Sequence, residues 1–228
     1  MDCRNRTLNR RNLQPIQSFV GAVVLGLAGC GSSEVAESVE RLQSEEATVR
    51  QSGARQLAEM KSERTESIPT LIQSLDDADS DVRRLSAAAL GRQGANASEA
   101  VSALIERLSR EDEQSVQLAI AYAIVQIDPT RTEPLDVLMN SVRRREVGSI
   151  VKLQQMGPAA KDAVPLLTEV LRDSRSLIRL QAVQALDAIG PDATSALPAL
   201  KRLQNDRDES VRDAAVSAVR SIEQSSVK

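Results

Sequence analysis

The stretch that decides the fold is Asp81-Val82-Arg83-Arg84-Leu85-Ser86-Ala87-Ala88-Ala89-Leu90-Gly91. Val82, Ser86, Ala87 and Leu90 share one face of a helix, at offsets zero, four, five and eight. The same stripe recurs along the chain. Pairing a valine-type residue with a leucine-type residue eight positions later gives Val49/Leu57, Val82/Leu90, Val116/Ile124, Arg145/Leu153, Ile178/Leu186 and Val211/Val219. The first members are spaced 33, 34, 29, 33 and 33 residues apart, a period that marks a stacked repeat architecture.

Each unit opens on polar, often acidic residues such as Asp76 to Asp81 or Asp206 to Glu209, which the sequence predicts as helix caps. The striped helix ends at Gly94, Gly157 or Gly190, with Pro158 and Pro191 directly after two of them. A glycine in a left-handed conformation is expected there, before a proline that cannot continue the ladder. A second helix follows, with apolar positions such as Ile68, Leu71, Ile72 and Leu75, or Val164, Leu167, Val170 and Leu171. Pro69, Pro165 and Pro198 fall early in these segments, where a missing amide proton costs little.

Neither helix can bury its stripe alone, so neighbours must stack into one continuous core. Val35, Val39 and Leu42 begin the series as a lone second helix, and Val211 to Ile222 close it as a lone first helix. The expected fold class is therefore all-α: a solenoid of about five two-helix repeats with half repeats at each end, twelve helices in all. Residues 144–157 are irregular, because Arg145 occupies the valine slot and the loop before it is shortened. A bend or hinge is expected there.

The amino terminus reads as an export signal. Arg4, Arg6, Arg10 and Arg11 precede an apolar run from Phe19 to Gly29, too short to span a bilayer as a helix. Leu27-Ala28-Gly29-Cys30 resembles the lipobox of bacterial lipoproteins, which implies cleavage before Cys30 and lipidation of its sulfur. Cys30 then becomes the only cysteine of the mature chain, since Cys3 is removed with the signal. The expected organisation is a signal peptide at 1–29, a lipidated Cys30 with a short tether to residue 33, a repeat domain at 34–224 and a tail at 225–228. A three-residue tether, at ~3.5 Å per residue, would hold the first helix within roughly 10–15 Å of the lipid. The protein is expected at the cell membrane or the outer membrane, facing the periplasm or the exterior. Asn9-Arg10-Arg11-Asn12-Leu13 faintly resembles a twin-arginine signal, so the export route stays open.

The 228 residues include one Phe, one Tyr, no Trp and no His, while 41% are apolar. Such a chain builds its core from Ala, Leu, Val and Ile, which suits close helix packing. The 29 basic and 32 acidic residues give a net charge of −3. Loss of residues 1–29 leaves 25 and 31, a net −6. With so few aromatic stacking platforms and no basic excess, no nucleic-acid partner is expected. Without histidine, and with its one mature cysteine lipidated, the chain lacks the parts for the usual nucleophile–base pairs and zinc sites. No enzyme activity, metal, cofactor or small-molecule substrate is expected.

The strings at Asp81–Gly91 and at Val211-Arg212-Asp213-Ala214-Ala215 resemble HEAT repeats, most nearly the short form named after phycobilisome lyases. The resemblance covers roughly residues 34–224 and implies a right-handed superhelix. In that family an arginine after the valine joins a loop aspartate in ladders between units. The matching positions are Arg50, Arg83, Arg179 and Arg212, with Asp81 and Asp208 as acidic partners, and Gln117 and Glu146 interrupt the series. The second helices line the concave face in such solenoids. Gln73, Ser74, Glu106, Arg107, Asn140, Ser141, Thr168, Glu169, Lys201 and Arg202 are expected to be exposed there. Cations near the ends of these helices, including Arg107, Arg143, Arg144, Lys201 and Arg202, complement the helix dipoles and are also the expected partner-binding residues. The expected function is a membrane-anchored scaffold or adaptor of the bacterial cell envelope, with an envelope protein as partner. The alternative is a non-catalytic or lyase-like subunit of an envelope enzyme complex.

Overall fold

The computed structural model describes residues 30–60 and 65–225, so the expected signal peptide lies outside the described residues. Among the described residues there are twelve α-helices and no strand. The first helices of the repeats are α2 (Ala47–Glu59), α4 (Ser80–Arg92), α6 (Gln114–Ile127), α8 (Val147–Met156) and α10 (Ser176–Ile189), closed by α12 (Glu209–Ser225). Between them run the second helices α3 (Ile68–Gln73), α5 (Val101–Arg110), α7 (Leu135–Arg143), α9 (Val164–Val170) and α11 (Leu197–Leu203). A lone helix, α1 (Cys30–Leu42), precedes them. No described helix is long and apolar enough to cross a membrane.

The period is visible in what is buried. Every full second helix hides a leucine three residues after its start: Leu71, Leu104, Leu138, Leu167 and Leu200. First helices stack on first helices, α4 between α2 and α6, and α10 between α8 and α12. Small residues permit the close approach. A Cβ on Gly91 would stand 2.9 Å from Ala123 Cα, inside any normal contact distance.

Between several first and second helices the chain passes through 3-10 segments at Gly94–Ala100, Gly157–Ala163 and Gly190–Ala196. Each buries two alanines completely: Ala97 and Ala100, Ala160 and Ala163, Ala193 and Ala196. Gly157 (φ 55°, ψ −129°) and Gly190 (φ 76°, ψ −134°) open two of these linkers. The positive φ agrees with the left-handed glycine expected there, but the left-handed helical ψ does not occur. With ψ near −130° the backbone is the mirror image of an extended strand, a region that glycine enters freely and side chains resist.

Three other expectations change. Residues 31–33, expected as a tether, belong to α1, which begins at Cys30 and buries Val35 and Leu42 further along. The acidic loop residues are mostly not caps, because Glu46 and Glu113 occupy N-cap positions without capping, and only some, such as Asp79 on Val82 N, do so. Arg145 lies outside α8, in a turn with φ 63°, because the first turn of that helix is missing.

The buried side chains form two clusters. One runs from α1 to α6 and the other from α6 to α12, and α6 supplies both. Ala123, Ile124 and Ile127 face the first cluster, while Ala121 and Val125 face the second.

Replacing Gly91 by Ala is expected to destabilise the chain by about 1–2 kcal/mol. Overpacking of α4 on α6 outweighs the gain in helix propensity. Thermal unfolding followed by circular dichroism checks this; an unchanged or raised midpoint would contradict the close approach.

Candidate functional site

A repeated polar device positions the helices. In α2, α4, α10 and α12 the fourth residue is an arginine: Arg50, Arg83, Arg179 and Arg212. Its Nη1 donates back to the carbonyls of its own loop, as Arg83 does to Asp77 O (2.8 Å) and Ala78 O (3.1 Å). Arg50, Arg179 and Arg212 repeat that grip. The other edge of the guanidinium reaches forward to the carboxylate three residues before the next first helix. Arg50 holds Asp77 (2.6 and 2.9 Å), Arg83 holds Glu111 (2.8 and 3.0 Å) and Arg179 holds Asp206 (2.8 and 2.6 Å). Each carboxylate also accepts the amide proton two residues on, from Asp79, Glu113 and Asp208.

The acidic partners expected from sequence are therefore corrected. Asp81 pairs with Arg84 on its own helix, and Asp208 accepts the amide proton of Ser210 at the start of α12. The signal that was missed is spacing: the true partners stand six residues before the next unit's arginine slot. Glu111 is the most enclosed of them. Burial alone would push its carboxyl up, but Arg83, Arg107 and the Glu113 amide outweigh burial and hold its pKa at about 2.

The series stops between α6 and α8. Gln117 turns back to Glu111 O (2.6 Å), and Arg144 stands where a carboxylate would precede α8. Instead a polar relay crosses the gap, in which Tyr122 OH meets Ser149 Oγ (3.0 Å) and Ser149 donates to Ser141 (2.7 Å). Ser141 in turn donates to Glu146, which also accepts from Arg144 (2.8 Å). Hydrogen bonds from Ser141 and then Arg144 hold the Glu146 carboxyl below its usual range. Lys152 takes a slot filled by buried Ala89, Ala123 and Ala185 in other units. Its ammonium lies 5.5 Å over the Tyr122 ring and bonds Gln155 (2.9 Å), and burial lowers its pKa.

The exposed strip of the second helices carries the candidate interface. Five residues from each helix start stand Gln73, Glu106, Asn140, Glu169 and Arg202, one per repeat and all exposed. Ser74 and Ser141, expected beside them, are buried. Ser74, just past the end of α3, bonds back to Thr70 O, and Ser141 belongs to the relay. Among the expected partner-binding cations, Arg107 is drawn to Glu111 (2.7 Å) and Asp76 (3.6 Å), Arg144 to Glu146, and Lys201 to Glu223 (2.7 Å). Arg143 and Arg202 bond only neutral oxygens, of Asn140 and Pro198. Among the described residues no group of three His, Cys, Asp or Glu side chains is placed to hold a metal.

Glu111→Gln should cost about 2–3 kcal/mol near neutral pH, since it leaves two largely buried guanidiniums short of a charge partner. The depressed pKa means that the carboxylate's contribution is complete above about 4.5 and is lost as pH falls through about 2. Urea titrations across that range should show a steeper acid decline for the native chain than for the variant. Parallel declines would remove Glu111 from this role.

Comparison with known proteins gives the same architecture. The family model described as HEAT repeats matches residues 35–125 and 141–220. No curated protein sequence matches the chain. Among solved structures, an engineered protein is similar with a TM-score of 0.67 at 22% identity, covering 84% of this chain and 97% of its own. A designed armadillo repeat protein in complex with the peptide (KR)4 is similar with a TM-score of 0.57 at 20% identity over 83% and 99% of the two chains. The complex of CpcE and CpcF of phycocyanin lyase from Nostoc sp. PCC7120 gives a TM-score of 0.51 at 19% identity over 92% and 82%. At these identities the likeness is one of fold. With the family model spanning most of its length and the stacked pairs of helices on view, the chain belongs to the HEAT-repeat family.

Proposed function

We propose that this protein is a non-catalytic docking scaffold of a bacterial cell envelope, tethered through Cys30 and binding a partner protein along its second helices. The observation that carries the docking face is the strip of exposed polar residues, one per repeat from Gln73 to Arg202, on helices whose leucines fix them in register. By analogy with other solenoids this strip lines the concave side. The lipobox at Leu27–Cys30 supports the tether, and α1, which starts at Cys30, would place the first repeat directly at the lipid surface. Several acyl chains on one cysteine make such attachment stable where a single chain is marginal.

A second reading is a subunit of an envelope enzyme complex, supported by the shared fold with the CpcE–CpcF complex. The two separate once a partner is in hand. A scaffold leaves its partner's turnover rate unchanged, whereas a subunit is needed for it.

Two experiments test the leading proposal. Cys30→Ser should abolish labelling with a fatty-acid probe and release the chain from membranes; continued retention of an unlabelled chain contradicts the tether. A photocrosslinking residue at Gln73 or Asn140 should capture a protein in intact cells, while one at exposed Leu177 on first helix α10 should not. The reverse pattern contradicts the docking face.

A further inference from the structure

Resting on that docking reading, we propose that Arg143, Arg172 and Arg202 form a row that binds an extended acidic peptide carrying a carboxylate at every third residue. The row stands out along the second helices, where the neighbouring cations Arg107, Arg110, Arg144 and Lys201 are already matched. On α5, Arg107 and Arg110 are drawn to Asp76, Glu106 and Glu111. Arg143, Arg172 and Arg202 are exposed, and among the described residues none of them has an ion-pair partner.

Two of the three share a register, and the third lies on the same strip. Counted from the first residue of each second helix, Arg143 and Arg172 stand eight positions on, and Arg202 stands five positions on, one turn earlier along the same strip. The equivalent positions in the first two second helices hold Gln73, Asp76, Glu106 and Ser109, so the strip changes sign between α5 and α7. Across α7, α9 and α11 these positions carry three arginines, Asn140, Asn205 and a single carboxylate, Glu169. Each arginine also complements the negative end of its helix, an attraction that leaves its donors free for a ligand.

Spacing selects the conformation of the ligand. Packed helices lie about 8–10 Å apart. A chain in the extended polyproline-II conformation advances about 3.1 Å per residue with three residues per turn, so every third side chain returns to one face and meets the next helix. A bidentate arginine then takes one carboxylate per repeat.

The test uses the full chain purified in mild detergent and fluorescent decapeptides read by anisotropy. One peptide places glutamate at every third position, a second groups the same glutamates at one end, and a third replaces them by lysine. The spaced peptide should bind best, more weakly as salt rises, and about tenfold or more weaker to the triple variant R143E/R172E/R202E. A triple glutamine variant, which adds no repulsion, should fall between. Thermal melts confirm that these surface variants remain folded. Equal binding by the folded triple variant, equal binding of the grouped peptide, or tighter binding of a single-stranded oligonucleotide each overturns the proposal. If crosslinking from Asn140 still captures a partner in the triple variant, the docking face stands and only the acidic ligand falls; loss of capture from every second-helix position removes the face itself.

Discussion

The structure depends on one side chain doing two things at once. An arginine at the fourth position of a first helix closes its own loop with one nitrogen and grips the next loop's carboxylate with two others. The planar fork of the guanidinium makes this possible, and a lysine would supply the charge without the second direction. Apolar stacking drives the association, but it specifies position along the groove only loosely. The bidentate pair supplies the missing register, the use of buried ion pairs with the firmest physical basis. Ordered loops and evenly offset second helices follow from it.

The interruption matters as much as the series. Between α6 and α8 the forward bridge is missing, the buried clusters divide, and Lys152, set against Tyr122, takes a slot that Ala89, Ala123 and Ala185 fill elsewhere. Gly148 makes room for the phenol; a Cβ there would stand 2.6 Å from Tyr122 OH. Beyond the gap Arg145 takes up the forward reach, weakly, at 3.4 Å from Asp173, from a strained turn outside the helix. The exposed strip changes character at the same place. Cations on α5 are drawn to neighbouring carboxylates, whereas Arg143, Arg172 and Arg202 have no ion-pair partner among the described residues. A solenoid whose halves differ in both coupling and charge can offer a partner two surfaces joined by a soft step.

Much of this was legible in residues alone. The stripe of Val82, Ala87 and Leu90 locates the first helices, and Gly94, Gly157 and Gly190 mark where three of them end, because burial and chain reversal leave local marks. The arginines of the ladder could be read from their place after the valine. Their partners could not, because Asp77, Asp79, Asp81 and Asp208 look alike until the direction of each guanidinium is known. Arg145 was misplaced for a similar reason. Its eight-residue spacing to Leu153 fits a helix, and only the missing first turn moves it outside. The relay through Ser141 was hidden too, since a serine on a second helix reads as surface when its neighbours are polar.

The claim that bridging arginines bind each unit to the next, and that this bond lapses once, is tested most directly by native-state hydrogen exchange of the whole chain in rising denaturant. Amides of α2 to α6 and those of α8 to α12 should lose protection as two blocks at different denaturant concentrations, with the boundary at the Tyr122 relay. Loss of protection across all twelve helices in a single step would contradict it.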